Sequence, residues 1–193
     1  DRIGDEVARA TTIVRYAPGS QFSAHTHDGG EEFIVLEGTF QDEHGDFPAG
    51  SYVRNPPTSR HTPGSEPGCV IFVKLWQFDP NDRTPVRIDL NKVAMASDPN
   101  RPGVTVALLF QDEHEDVRVE QWGPGVAANL KAFGGAELLV LEGSAEENGD
   151  ALRRHSWVRI PDGRTVTLKA GKDGVRLWLK TGHLRHVAAP TNV

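Results

Sequence analysis

Apolar residues in this chain come in short runs that turn residues interrupt. In the first half, segments 12–16, 32–36, 51–54 and 70–76 are rich in β-branched and aromatic residues and bounded by Gly, Pro or Asp, which predicts strands. Segments 104–110, 117–122, 137–141, 157–160, 165–168 and 175–179 read the same way in the second half. Arg164-Thr165-Val166-Thr167-Leu168 alternates polar and apolar, the period of a half-buried strand. The longest apolar stretches, at 70–73 and 138–141, are strand-length, far short of the roughly 20 residues of a membrane helix. Many short antiparallel strands predict an all-β chain of jelly-roll barrels.

The pattern occurs twice. Ala17-Pro18-Gly19 returns as Gly123-Pro124-Gly125, and Val35-Leu36-Glu37-Gly38 as Val140-Leu141-Glu142-Gly143. Ser51-Tyr52-Val53-Arg54-Asn55-Pro56 is matched by Ser156-Trp157-Val158-Arg159-Ile160-Pro161, and Val70-Ile71-Phe72-Val73-Lys74 by Arg176-Leu177-Trp178-Leu179-Lys180. All four matches keep an offset of 105 or 106 residues and the same order, which marks an internal duplication. The expected organisation is a first barrel over 1–78, a linker over 79–103 with an extra strand at 86–90, and a second barrel over 104–193. A rival match, Phe40–His44 against 110–114, has an offset of 70 and reads as two acidic hairpin turns without functional weight. The partner of 104–110 in the first copy is expected before residue 1. With Asp1 as the first residue, the natural protein is therefore expected to extend at least one strand further N-terminally.

Composition narrows the classes. Twenty glycines and thirteen prolines among 193 residues disfavour long helices. A net charge of −6 argues against nucleic acid, whose phosphates need clustered Lys and Arg. The single cysteine, Cys69, excludes an internal disulfide and a Cys-rich zinc module. No signal peptide or membrane span is visible, so a cytoplasmic location is expected. The partners to expect are a small-molecule ligand and, for assembly, a second copy of the chain, but neither nucleic acid nor membrane.

One stretch carries chemistry: Gly19, five residues, His25-Thr26-His27, three residues, Glu31, six residues, Gly38. On an extended strand His25 and His27 point to one face, and the Gly29-Gly30 turn can return Glu31 beside them. Neutral nitrogens with one carboxylate suit Zn, Fe(II), Mn or Ni. This spacing resembles the first motif of the cupin superfamily. The second cupin motif places a histidine three residues after Pro-x-Gly, but after Pro48-Ala49-Gly50 that position holds Val53. The segment 52–63, ending in Arg60-His61-Thr62-Pro63, resembles the ChrR-type cupins, as does 37–46. That resemblance implies His61 as the fourth ligand and Zn2+ as the metal, with Fe2+, Mn2+ or Ni2+ as alternatives. Gln41, Tyr52 and Asn55 are candidates to orient the ligands, and His44 reads as a solvated turn residue. Arg54 and Arg60 suit either an anionic substrate or surface salt bridges.

Carried across the repeat, His25 falls near Lys131, His27 at Phe133, Glu31 at Ala136 or Glu137, and His61 at Val166. The second barrel is therefore expected to be metal-free, with His155, His183 and His186 as surface or strand histidines. The resemblance implies a zinc-binding regulatory or sensory module of the anti-sigma-factor type. The helical zinc domain that sigma-factor binding also requires has no counterpart here, which counts against a sigma-factor partner. The alternative is a metal-dependent dioxygenase acting on diketones or thiols, or a related small-molecule enzyme; no distinct catalytic acid or base stands out. Metal affinity is expected to fall below about pH 6, because ligation needs neutral histidines.

Overall fold

The computed structural model describes residues 2–3 and 9–186. It is an all-β protein of two cupin barrels: one compact unit reaches Lys92 and the other spans Val93–Arg185. No helix among the described residues is long and apolar enough to cross a membrane.

In the first unit the main sheet runs Arg2–Ile3, Arg9–Tyr16, Cys69–Leu75, Glu31–Asp42, Ser51–Asn55, Val86–Asp89, all antiparallel. Alternate residues of these strands turn inward, where Phe33, Val35, Phe40, Phe47, Val53, Cys69, Ile71 and Val73 form the core. Each such side chain taken fully out of water contributes on the order of 1.5–3 kcal/mol. The inward set changes parity along Glu31–Asp42, from odd positions at Phe33 and Val35 to an even one at Phe40. A β-bulge is the cause: Val70 pairs with Glu37 and Ile71 with Val35, leaving Leu36 without an opposite number.

The second unit has the same plan, in the order Ala96–Ser97, Val104–Gln111, Asp116–Trp122, Thr165–Thr181, Ala136–Glu147, Asp150–Arg153. Trp157–Ile160 lies on Ala136–Glu147, and Ala127–Lys131 on the first half of Thr165–Thr181. Segments 165–168 and 175–179, expected as two strands, are thus parts of one 17-residue strand. Its counterpart in the first unit is broken into Ser59–His61, Gly64–Ser65 and Cys69–Leu75. Pro63 and Pro67 supply the breaks, since proline has no N–H to give to a ladder.

Within 79–103, Val86–Asp89 joins the first sheet and Ala96–Ser97 the second. The partner of Val104–Gln111, expected ahead of residue 1, has a two-residue counterpart inside the chain. Arg2 and Ile3 pair with Ala10 and Arg9, whereas Val104–Gln111 pairs along the whole of Asp116–Trp122.

Both units also pair an equivalent buried glutamate with an arginine. Glu32 accepts a hydrogen bond from the Tyr52 hydroxyl at 2.5 Å and lies 3.7 Å from Arg54. Glu137, 105 residues on, accepts from Arg159 Nε at 2.7 Å. Arg54 is not a surface residue: it is buried, 2.6 Å from Asp82 and stacked over Phe78 at 4.4 Å, so it serves packing and not an open site.

Candidate metal centre

The ligand candidates reach one point from two separate pieces of sheet. His25–His27 and Ser59–His61 form a two-stranded antiparallel ribbon of their own, with His25 opposite His61 and His27 opposite Ser59. Strand alternation sends the exposed Thr26 and Arg60 outward and the histidines inward. Glu31 opens the long strand of the main sheet. Gly30, at φ +76, makes the reversal that joins them, and a side chain there would meet the Phe78 ring at 2.5 Å. The turn is held by Gly30 N and Thr58 N, which both donate to His27 O, at 3.2 and 2.9 Å.

One ligand atom from each of His25, His27 and His61 falls within 4.8 Å of the other two. His27 Nε2 and His61 Nε2 are 2.8 Å apart, and Glu31 Oε2 lies 3.4 Å from the former and 3.6 Å from the latter. His61 and Glu31 are buried, His27 is half-buried and His25 is exposed, so the cluster opens to solvent on the His25 side. All four residues singled out by spacing and resemblance therefore come together.

Neighbouring groups aim these side chains. His25 Nδ1 lies 2.9 Å from Ser23 O, so it carries the hydrogen and leaves Nε2 free. His61 Nδ1 is 3.1 Å from Asp42 Oδ2, a carboxylate–imidazole arrangement typical of ligating histidines. Asn55 Nδ2 donates to Glu31 Oε2 at 3.1 Å, so of the orienting candidates Asn55 touches a ligand. Gln41 instead donates to Asp46 within its hairpin at 2.8 Å, and Tyr52 serves Glu32. Asp42 is the orienting residue that alternation along the strand does not reveal. Counted from Glu31 it falls on the wrong face, and only the bulge at Leu36 turns it inward. The acidic turn that contains it thus reaches a candidate ligand, His61. Its repeat at 112–115 is the same turn in structure, with His44 N and His114 N each donating to the aspartate two residues earlier at 2.8 Å. His44 itself is exposed.

Electrostatics divides the imidazoles. Burial, then the neighbouring His61 and His25, pushes His27 down to about 3. For His61 burial also pulls downward, but the bond to Asp42 and the charge of Glu31 outweigh it and leave its pKa raised. Burial raises Glu31, against the pull of His61 and Asn55. His61 thus faces the Asp42 carboxylate through Nδ1 and His27 Nε2 through Nε2. Three nitrogens with a carboxylate fit a divalent ion.

The second unit has filled the same space with hydrocarbon. Gly135 N donates to Ala132 O and Gly163 N to Ala132 O, reproducing the bonds of Gly30 and Thr58 to His27. Leu130 faces Val166 as His25 faces His61. The equivalents are therefore Leu130, Ala132, Ala136 and Val166, one residue earlier than Lys131 and Phe133, because the loop into the long strand has the same length in both copies. Leu130, Ala132 and Ala136 belong to the apolar core, with Val166 packed against it. Glu137 corresponds to Glu32 and holds Arg159. His183 is neither on the surface nor in a strand: it is buried in a short 3-10 turn, His183–Arg185, with Nε2 3.1 Å from Glu137.

A tandem β-barrel with an inward His-x-His, a glutamate and a histidine across the ribbon defines a cupin. Residues 2–79 match the family model of the ChrR Cupin-like domain. No curated protein matches the sequence. Solved structures with the same fold include a candidate dioxygenase of Nostoc punctiforme, with TM-score 0.73, 14% identity, and coverage of 96% of this chain and 73% of that one. The salicylate 1,2-dioxygenase of Pseudaminobacter salicylatoxidans gives 0.67, 12%, 89% and 70%. A cupin 2 conserved barrel domain protein of Leptotrichia buccalis gives 0.66, 11%, 94% and 87%. At these identities the likeness is one of fold.

Proposed function

We propose that the first unit is a metal-centred regulatory module of the ChrR type. It holds one divalent ion, zinc in the first instance, on His25, His27, Glu31 and His61. The observation that carries this reading is the convergence of three imidazoles, two of them with Nδ1 already engaged by Ser23 O and Asp42. A bound ion would supply Lewis acidity and an open coordination position to a small ligand. The chain's own residues do the rest. Asp42 and Ser23 O fix the ring orientations, Asn55 fixes the carboxylate, and Phe40, 5.9 Å from the His61 ring, forms an apolar wall. The second unit contributes structure without a metal.

One observation favours a second reading, a metal-dependent dioxygenase. His25 is exposed, so the centre is open to a substrate and to O2. Anaerobic purification, metal analysis and oxygen uptake with diketones and thiols separate the two. Tight zinc without turnover supports the regulatory reading, and iron with substrate-dependent oxygen uptake overturns it.

A further inference from the structure

Two equivalent turns, one in each unit, solve the same backbone problem with different residues. In the first unit the turn 56–59 closes with Ser59 N donating to Pro56 O at 3.0 Å. In the second, 161–164 closes with Arg164 N donating to Pro161 O at 3.2 Å. The third residue of each turn is left-handed, as in a type II turn, with φ +74 at Thr58 and +76 at Gly163. Each then donates its N–H to the facing strand, Thr58 to His27 O at 2.9 Å and Gly163 to Ala132 O at 3.0 Å. Glycine enters this region freely, whereas a residue branched at Cβ is strained there. Of the four non-glycine residues at positive φ among the described residues, Thr58 is the one with a branched Cβ. Its side chain is exposed, so no core packing offsets the strain. The unit without ligands thus carries the relaxed turn, and the unit with them carries the strained one.

The strain sits at a junction of the metal centre. The turn follows directly on Asn55, which holds Glu31, and leads through Ser59 to His61. A second cost lies beside it. Ser59 stands opposite His27 in the ribbon, and its hydroxyl is sealed from solvent without a hydrogen-bond partner among the described residues. The ribbon shares no ladder with the nine-stranded sheet, so it can open at this turn while the sheet stays intact.

We propose that Thr58 sets the metal affinity of this centre. Its strained backbone, together with the unpaired Ser59 hydroxyl, biases the metal-free ribbon toward an open form, and an ion must draw the ribbon closed to gather His27 and His61. Apparent affinity is then lowered by the fraction of metal-free chains that are closed. Thr58 acts through the course of the chain and is a positioning residue. The inference rests on the metal-centre reading above and adds that the ion is held exchangeably, as a regulatory module requires.

Zinc affinity of the full chain, read by chelator competition on the wild type, Thr58→Gly and Thr58→Val, tests this, with amide exchange of the metal-free proteins alongside. Glycine removes the strain, so Thr58→Gly should bind zinc about three- to ten-fold more tightly. Its amides at 59–61 should also exchange more slowly in the metal-free state. Valine keeps the branch and lacks the hydroxyl, so Thr58→Val should match the wild type in both measurements. Equal zinc affinity in the wild type and Thr58→Gly overturns the proposal, as does weaker binding by the glycine variant. A Thr58→Val protein that departs from the wild type as far as Thr58→Gly assigns the effect to the hydroxyl and overturns it too. A wild type that takes up no zinc is a different failure, that of the metal centre itself, visible in its metal content before any variant is compared, and takes the proposal with it.

Discussion

Asp42 holds the Nδ1 of His61 at 3.1 Å from the far end of the strand that Glu31 begins. One strand thus supplies both a candidate ligand and the group that aims another. Asp42→Asn keeps the shape but loses the charge, so metal affinity should fall about 10- to 100-fold, as measured by competition with a chromophoric chelator. The thermal melt of the metal-free protein should change far less.

The pH dependence follows from the unequal histidines. His27 is neutral above about 3, so protons do not contest it near neutrality. His61 is raised above 6.5, so the proton competes with the ion from above that value, higher than the onset near 6 that ordinary histidines suggest. Affinity should lose about one decade per pH unit below the His61 pKa. Asp42→Asn should move the onset downward. An onset that stays near 6 in both proteins would contradict the His61–Asp42 coupling.

Stability has a matching sign. His27, depressed in the fold, contributes stability that is present above 6.5 and lost as pH falls toward about 3. His61, raised in the fold, contributes stability present below 6.5 and lost as pH climbs through its folded value. Chemical denaturation of the metal-free protein across this range should show the two opposing trends, and His61→Ala should leave only the first.

One ion per chain is expected from elemental analysis. His25→Ala with His61→Ala should abolish it, since Leu130, Ala132, Ala136 and Val166 offer no donor. Two ions per chain would require a site that the second unit does not present.

Gly30→Ala should destabilise the first unit by about 1–3 kcal/mol, because φ +76 suits only glycine and Phe78 fills the space. The same change should displace Glu31 and lower metal uptake. Arg54→Ala should cost about 3–5 kcal/mol by leaving Glu32 and Asp82 as buried charges, read as a shift of the denaturation midpoint.

Much of this was legible before any coordinates. Segment 157–160 matches its strand residue for residue, and 104–110 differs from Val104–Gln111 by one position, because β-branched runs bounded by Pro and Gly leave little choice. His25, His27 and Glu31 follow from local spacing alone. What escaped was whatever depends on a break in periodicity. Asp42 is hidden by the bulge at Leu36. The ribbon strand Ser59–His61 is too short and polar to show as a strand, and the second-unit equivalents are displaced by one residue when the offset is taken as 106 instead of 105. His183 is buried through a partner 46 residues away, which composition cannot show.

Three of the four candidate ligands ride on a ribbon that shares no ladder with the nine-stranded sheet, and the fourth is rooted in that sheet. An ion bound by all four is then a fastener between two mechanically separate pieces of the barrel. Its arrival should slow amide exchange at 25–27 and 59–61 while the long strand behind Glu31, already clamped on both sides, stays as it was. The outward face of that ribbon, Thr26 and Arg60, would report occupancy at the surface without touching the ion.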